Sequence, residues 1–128
     1  MFEVDLTAGY RAGLFDGEPG IGWLRPGWLS LRLYGQHAKA AIEAGDTLLK
    51  ANMILSADRL LTIMSGILDT SPGTTLGPAM MSIYNRLRFC LWKANVRNDC
   101  AALDDYDKAL QTIDKEFLNL SKHGATPR

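Results

Sequence analysis

Apolar residues recur at steps of three and four along most of the chain, which is the spacing of one face of an α-helix. From Pro26 onward, no segment alternates apolar and polar residues for long enough to indicate a strand. The clearest run follows steps of 3, 4, 3, 4 and 3 through Leu103, Tyr106, Leu110, Ile113, Phe117 and Leu120. The pattern therefore predicts an all-α protein.

Residues typical of helix ends mark the first two helices. Pro26 fits the first turn of a helix, where its missing N–H group is not needed, and Gly45 fits the residue after the helix end. Asp46 is the expected N-cap of a second helix that runs to about Asp69.

The second half of the chain predicts two more helices. The segment 70–78 contains two prolines and two glycines and is expected to be a loop. A third helix then runs from Pro78 or Ala79 to Val96 or Arg97, and a fourth begins after Asp99 and ends at His123. Short connections favour antiparallel neighbours, so we expect an antiparallel up-down four-helix bundle over residues 26–123, followed by a tail at 124–128.

Residues 1–25 have a different composition. They hold five of the twelve glycines in the chain, interleaved with large apolar residues. The glycines disfavour a stable helix, and the apolar residues disfavour a solvated tail. This pattern predicts a glycine-rich N-terminal arm that lies on the bundle, with Tyr10, Leu14 and Phe15 as its capping residues.

Charge and composition exclude several partners. Fourteen basic and fourteen acidic residues cancel, which does not favour nucleic acid or an anionic membrane surface. No apolar run reaches the roughly 18 residues of a membrane span, and the N-terminus lacks the order of a signal peptide. The two cysteines, Cys90 and Cys100, have no metal-binding spacing and are expected to be reduced in a cytoplasmic protein.

The search for chemistry gives no catalytic or metal-binding candidate. His37 and His123 lack partners at ligand spacing, so we expect no metal, no cofactor and no enzymatic activity. The acidic residues near the start of the fourth helix are expected to form a solvated face, on which Asp104 pairs with Lys108.

The third helix carries more apolar surface than a bundle core requires. One stripe, formed by Ile83, Tyr84, Leu87, Leu91 and Ala94, is sufficient to face the core. A second stripe of Met81, Phe89, Trp92 and Val96 lies on another side and needs a cover. Methionines on the second and third helices, among them Met53 and Met64, suit a surface that adapts to a partner. Two functions fit: binding a helical segment of another polypeptide, or binding a small molecule inside the bundle.

The polar sequence ANVRND is predicted to be a joint between the last two helices. Arg97 lies at the negative end of the third helix, Asn98 tolerates a left-handed conformation, and Asp99 caps the fourth helix. Asn95 is expected to support this turn through a side-chain hydrogen bond.

The third helix and the joint resemble the FliS family of flagellin export chaperones. The matching elements are the pair Ile83-Tyr84, the leucines Leu87 and Leu91, and the motif that runs from Ala94 to Asp99. Near the start of the bundle, Pro26 and the pair Leu33-Tyr34 keep the spacing of a second family segment, and Tyr10 is placed like a family tyrosine on the arm. Gly35-Gln36 replace the usual Asp-Gly, which marks a divergent member.

The resemblance implies a cytoplasmic chaperone that binds the disordered C-terminal segment of flagellin. It would block premature polymerisation and deliver flagellin to the gate of the flagellar type III export apparatus. The expected binding surface combines Met81, Phe89, Trp92 and Val96 with Met53 and Met64, and the N-terminal arm would cover part of it. The alternatives are a helical-bundle adaptor for a different export client or a regulator, or a small-molecule-binding bundle.

Overall fold

A computed structural model describes residues 18–68 and 76–125, with side chains over 24–68 and 77–116. These ranges contain four helices: α1 (Glu18–Ala44), α2 (Thr47–Gly66), α3 (Leu76–Arg97) and α4 (Cys100–Ala125). The predicted all-α four-helix bundle is confirmed. Apart from the start of α1, the predicted helix boundaries lie within about three residues of the observed ones.

The helices form a ring in chain order. α1 packs against α2 and α4, and α3 packs against the same two helices, so α1 and α3 lie diagonally opposite each other. Turns of only two residues, 45–46 and 98–99, reverse the chain between α1 and α2 and between α3 and α4. Both turns therefore lie at the same end of the bundle.

The predicted start of the first helix at Pro26 is wrong, because α1 begins at Glu18 and carries Pro26 in its interior. An interior proline removes one helical hydrogen bond and costs about 3 kcal/mol. Packing offsets this cost, since Leu24 and Trp28, on either side of Pro26, are almost completely buried. The residues Tyr10, Leu14 and Phe15 of the predicted arm lie outside the described part of the chain.

Local hydrogen bonds form both short turns as their sequences predict. At the end of α1, Gly45 adopts φ 73°, and the N–H groups of Gly45 and Asp46 donate to the carbonyls of Ile42 and Ala41. Asp46 Oδ1 then accepts from the Leu49 N–H at 3.1 Å and caps α2.

Similar local contacts form the turn between α3 and α4. Asn98 adopts the left-handed φ of 51°, and Asp99 Oδ1 accepts from the Ala102 N–H at 3.1 Å. The predicted roles of Asn98 and Asp99 in ending α3 and capping α4 are confirmed.

Aromatic side chains link helices through the core. Trp28 Nε1 of α1 donates a 3.1 Å hydrogen bond to Tyr84 Oη of α3, and both side chains are buried. Tyr106 Oη of α4 donates to the Leu31 carbonyl of α1 at 2.7 Å. Burial raises the pKa of the Tyr106 hydroxyl, so this group remains a hydrogen-bond donor at neutral pH. These bonds satisfy polar groups that would otherwise be costly to bury.

Ion pairs close the seam between α1 and α4. Arg25, Arg32 and Lys39 follow each other at seven-residue steps on α1, and they pair with Asp114, Asp107 and Asp104 at 2.7, 2.8 and 2.8 Å. The reversed order of the aspartates reflects the antiparallel packing of the two helices. The predicted pairing of Asp104 with Lys108 is wrong, because α1 brings Lys39 to this carboxylate.

Candidate functional site

The outer side of α3 presents an apolar stripe formed by Phe89, Trp92 and Val96. Their side chains are 56%, 49% and 59% exposed, although large apolar residues are more often buried. The same helix directs Tyr84 and Leu91 into the core. We call Phe89, Trp92 and Val96 the α3 stripe. These three residues of the predicted binding surface lie together and face solvent.

The two rings of the α3 stripe stack on each other. The ring centroids of Phe89 and Trp92 are 5.9 Å apart, and the ring planes are inclined by 16°. Lys93 Nζ lies 5.1 Å from the centre of the Phe89 ring, and the Arg97 guanidinium lies 5.5 Å from the centre of the Trp92 ring. Such contacts attract a cation to the ring face. The aromatic surface is therefore accompanied by two cations.

A groove between α2 and α3 continues the α3 stripe sideways. It encloses about 250 Å³ and is lined by Ala51, Ile54, Leu55, Asp58, Arg88, Leu91, Trp92 and Asn95. Ile54 and Leu91 are buried, whereas Leu55 is 47% exposed. We call this cleft the α2/α3 groove. Because Trp92 belongs to both features, the α3 stripe and the α2/α3 groove form one continuous apolar surface.

Arg88 ties the two walls of the α2/α3 groove together. Its Nη2 donates to Thr62 Oγ1 at 2.6 Å, and its Nε lies 3.5 Å from Asp58 Oδ1. This Nε is buried and makes no hydrogen bond in the structure. A buried donor without a full hydrogen bond is energetically unfavourable, so the Arg88–Asp58 pair at 3.5 Å contributes less than the hydrogen-bonded ion pairs between α1 and α4.

The methionines predicted to extend this surface take other positions. The prediction for Met64 is wrong: its side chain is fully buried in the core, three residues after the equally buried Leu61. Met53 is half-buried and packs against the core. Neither residue lines the α2/α3 groove, and the groove residue Leu55 was not predicted from sequence. Met81 is half-buried near the start of α3.

The joint between α3 and α4 contains a residue from a third helix. Lys50 of α2 is buried, and its Nζ donates to Asn98 Oδ1 at 2.8 Å and to the Asn95 carbonyl at 3.0 Å. The contact of Asn95 thus uses its backbone oxygen, whereas the sequence predicted a side-chain bond. This arrangement holds the start of α2 against the turn between α3 and α4.

The pair Leu33-Tyr34 on α1, which matches a family segment, has one residue against the core and one on the surface. Tyr34 is partly buried against the core, whereas Leu33 is 54% exposed. Leu33 and the half-exposed Leu29 lie one turn apart on α1, which is diagonally opposite α3. They form a second, separate apolar patch that sequence reasoning missed.

A further groove lies between α3 and α4. It encloses about 420 Å³ and is lined by Ile83, Arg86, Asp105, Lys108, Ala109, Thr112, Ile113 and Glu116. Its floor is apolar and its rims carry both signs of charge. Like the α2/α3 groove, it opens between neighbouring helices and not within the core.

Other kinds of site are not formed by the described residues. Within 18–68 and 76–125, no three His, Cys, Asp or Glu side chains come together as a metal site would require. Cys90 and Cys100 are free thiols, and burial raises the pKa of the Cys90 thiol. None of the helices in these ranges combines the length and apolar character needed to cross a bilayer.

Comparison with protein families identifies the family of the chain. The family model described as flagellar protein FliS matches residues 32–123, which include the C-terminal half of α1, all of α2 and α3, and nearly all of α4. A search of curated proteins found no match to the chain.

Proposed function

Because the chain belongs to the FliS family of flagellar proteins, which are flagellar export chaperones, we propose that it binds the disordered C-terminal segment of flagellin in the cytoplasm. In this role it keeps flagellin from polymerising before export and delivers it to the flagellar type III export apparatus. The observation that carries the proposal is the continuous apolar surface formed by the α3 stripe and the α2/α3 groove.

The physical basis is the cost of ordering a flexible client. A disordered segment that folds on binding loses conformational entropy, and burial of apolar surface must offset that loss. Phe89 and Trp92 are rigid and half-exposed, so their burial under a client helix removes a large apolar area from water without much further loss of side-chain freedom. Leu55 extends the contact across the groove onto α2.

The shape of the surface favours a helical client segment. Phe89, Trp92 and Val96 are spaced as successive turns of one helix, and the α2/α3 groove runs beside them. An amphipathic helix fits such a surface with its own apolar residues at three- and four-residue steps. The proposed client thus forms a helix as it binds.

The N-terminal arm has a regulatory part in this proposal. Residues 1–17 precede α1, and Tyr10, Leu14 and Phe15 within them supply apolar side chains of the kind that the α3 stripe would accept. In the absence of a client, the arm covers this surface and limits unwanted association. The client displaces the arm when it binds.

The test combines binding with the proposed consequence. The C-terminal segment of flagellin from the same organism is titrated into the full chain by calorimetry, and flagellin polymerisation is followed by light scattering with and without the chain. We expect binding of the segment, a negative heat-capacity change, and suppression of filament growth at equimolar chain. Absence of binding, together with capture of a different export protein from cell extract, would assign the chain to another client and refute the proposal.

A further inference from the structure

The charge on α3 is one-sided. Between Leu76 and Arg97 the helix contains Arg86, Arg88, Lys93 and Arg97 and no aspartate or glutamate, although the formal net charge of the chain is zero. The α3 stripe thus lies on the one described helix whose charged residues are all basic.

Most of the cations that lie between two helices are already paired with a carboxylate. Arg25, Arg32 and Lys39 pair with aspartates of α4, and Arg88 lies near Asp58. These cations stabilise contacts between helices. The charges of these cations are therefore largely balanced by aspartates of the bundle itself.

Two of the three remaining cations of α3 contact the rings of the α3 stripe, and the third, Arg86, lines the groove between α3 and α4. Lys93 and Arg97 lie against the rings of Phe89 and Trp92, and Arg86 precedes Lys93 by two turns. Among the residues that the structure describes, no carboxylate lies within ion-pair distance of these three cations. Along the helix they span about 16 Å, the length of three turns of a bound helix.

We propose that α3 selects an acidic amphipathic helix: a segment with apolar residues at three- and four-residue steps, bordered by carboxylates. The apolar residues would cover the α3 stripe, and the carboxylates would meet Arg86, Lys93 and Arg97. This inference rests on the proposed function and names the chemistry of the segment bound at the same surface. Complementary charge of this kind raises the association rate and fixes the register of the bound segment.

A polypeptide fits these residues better than a nucleic acid. Base stacking needs open aromatic faces, whereas Phe89 and Trp92 stack on each other and are approached by Lys93 and Arg97. Val96 adds an aliphatic side chain that offers no stacking surface. The zero formal net charge of the chain also gives little long-range attraction for a phosphate backbone.

The test uses two designed peptides that differ only in their flanking charges. Both carry leucines at i, i+3 and i+7, and the flanks are glutamates in one peptide and lysines in the other. We expect the wild-type chain to bind the glutamate peptide about tenfold more tightly at low salt, and this preference to shrink as the salt concentration rises. Equal binding of the two peptides, or a preference for lysine, would overturn the inference.

Variants of the chain locate the effect on α3. The double variant Lys93→Glu/Arg97→Glu should lose the preference for the glutamate peptide, and Lys93→Gln/Arg97→Gln should show an intermediate loss. The matched control Arg59→Glu/Lys115→Glu makes the same change in net charge at exposed positions of α2 and α4 and should retain the preference. Full retention in the folded α3 variants would contradict the inference.

Two further titrations separate the possible failures. If the flagellin C-terminal segment binds the wild-type chain and both α3 variants equally, the charge inference fails while the proposed function stands. If the segment does not bind at all, the proposed function fails. The comparison of the glutamate and lysine peptides still measures the charge preference of α3. Binding of a single-stranded oligoribonucleotide in place of the glutamate peptide would overturn the inference in favour of a nucleic-acid partner.

Discussion

Lys50 Nζ donates a 2.8 Å hydrogen bond to Asn98 Oδ1 and so connects α2 to the turn between α3 and α4. Lys50 lies four residues after the N-cap Asp46, close to the turn between α1 and α2. A single buried side chain thus links the two turns at one end of the bundle. This link also fixes the end of α3 that carries the α3 stripe.

Replacing Lys50 by methionine keeps the apolar stem and removes the ammonium group. Lys50→Met loses the bonds to Asn98 and to the Asn95 carbonyl, and we expect the free energy of unfolding to fall by about 1–3 kcal/mol. Urea denaturation measures the loss. The control Lys115→Met alters an exposed lysine of α4 and should change stability by less than about 0.5 kcal/mol. Equal stability of the two variants would show that the link contributes nothing.

The features of the fold that sequence predicts are those with local causes. Asp46, Asn98 and Asp99 act on backbone groups within three residues of themselves, so residue type and spacing are sufficient to identify their roles. Lys50 could not be predicted in this way, because its partners lie 45 and 48 residues away. The start of α1 was missed for a related reason, since burial of Leu24 offsets the cost of an interior Pro26.

The residues of the candidate site also divide into those that can be identified from sequence and those that cannot. Phe89, Trp92 and Val96 are recognisable from sequence because they form a second apolar stripe on a helix whose first stripe already supplies the core. The sequence wrongly predicts Met64 on the binding surface and does not identify Leu55. The reason is that the rotation of α2 relative to α3 decides which face of α2 is buried. Residue type does not determine that rotation.

A close approach between α1 and α4 makes Gly35 sensitive to substitution. A Cβ atom at Gly35 would lie 2.6 Å from Cε1 of the Tyr106 ring, well inside van der Waals contact. The ring is held by its hydrogen bond to the Leu31 carbonyl and cannot move freely. We expect Gly35→Ala to lower the free energy of unfolding by about 1–3 kcal/mol.

Gly66 of α2 supplies the matched control for this prediction. A Cβ atom there meets no heavy atom within 4 Å, so Gly66→Ala should leave stability unchanged or raise it by up to about 1 kcal/mol. Thermal or urea unfolding of both variants tests the difference. If Gly35→Ala is as stable as Gly66→Ala, the contact with Tyr106 is not tight in solution.

The ion pair between Arg32 and Asp107 predicts a dependence of stability on pH. Hydrogen bonding from the Arg32 guanidinium lowers the pKa of the Asp107 carboxyl below its usual value. A lowered pKa contributes stability that is fully present above the unfolded-state value of about 4 and is lost as pH falls through the folded-state value. Wild type should therefore exceed Asp107→Asn by about 1 kcal/mol at neutral pH, with the difference vanishing in acid.

Urea titrations of wild type and Asp107→Asn between neutral and strongly acidic pH measure this difference. Asp105→Asn is the control, because the exposed Asp105 makes no ion pair among the described residues. A difference between wild type and Asp107→Asn that grows as pH falls would contradict the assigned sign.

Removing the N-terminal arm should tighten client binding if the arm covers the α3 stripe. Deletion of residues 1–17 leaves α1 intact, because this helix begins at Glu18. We expect a several-fold increase in affinity for the flagellin segment, since the client no longer has to displace the arm. Deletion of residues 126–128 serves as the control and should leave affinity unchanged. Equal affinity of the full chain and the chain lacking 1–17 would remove the capping role.

The most direct measurement compares aspartate substitutions on the α3 stripe with aspartate substitutions on the Leu29/Leu33 patch of α1, by calorimetry with the flagellin C-terminal segment. Trp92→Asp and Phe89→Asp alter the α3 stripe, whereas Leu29→Asp and Leu33→Asp alter equally exposed positions on the diagonally opposite α1. Circular dichroism verifies that all four variants are folded. We predict that the α3 variants lose at least about tenfold in affinity and that the α1 variants bind like wild type. Wild-type affinity in folded Trp92→Asp and Phe89→Asp would contradict the placement of the client on α3.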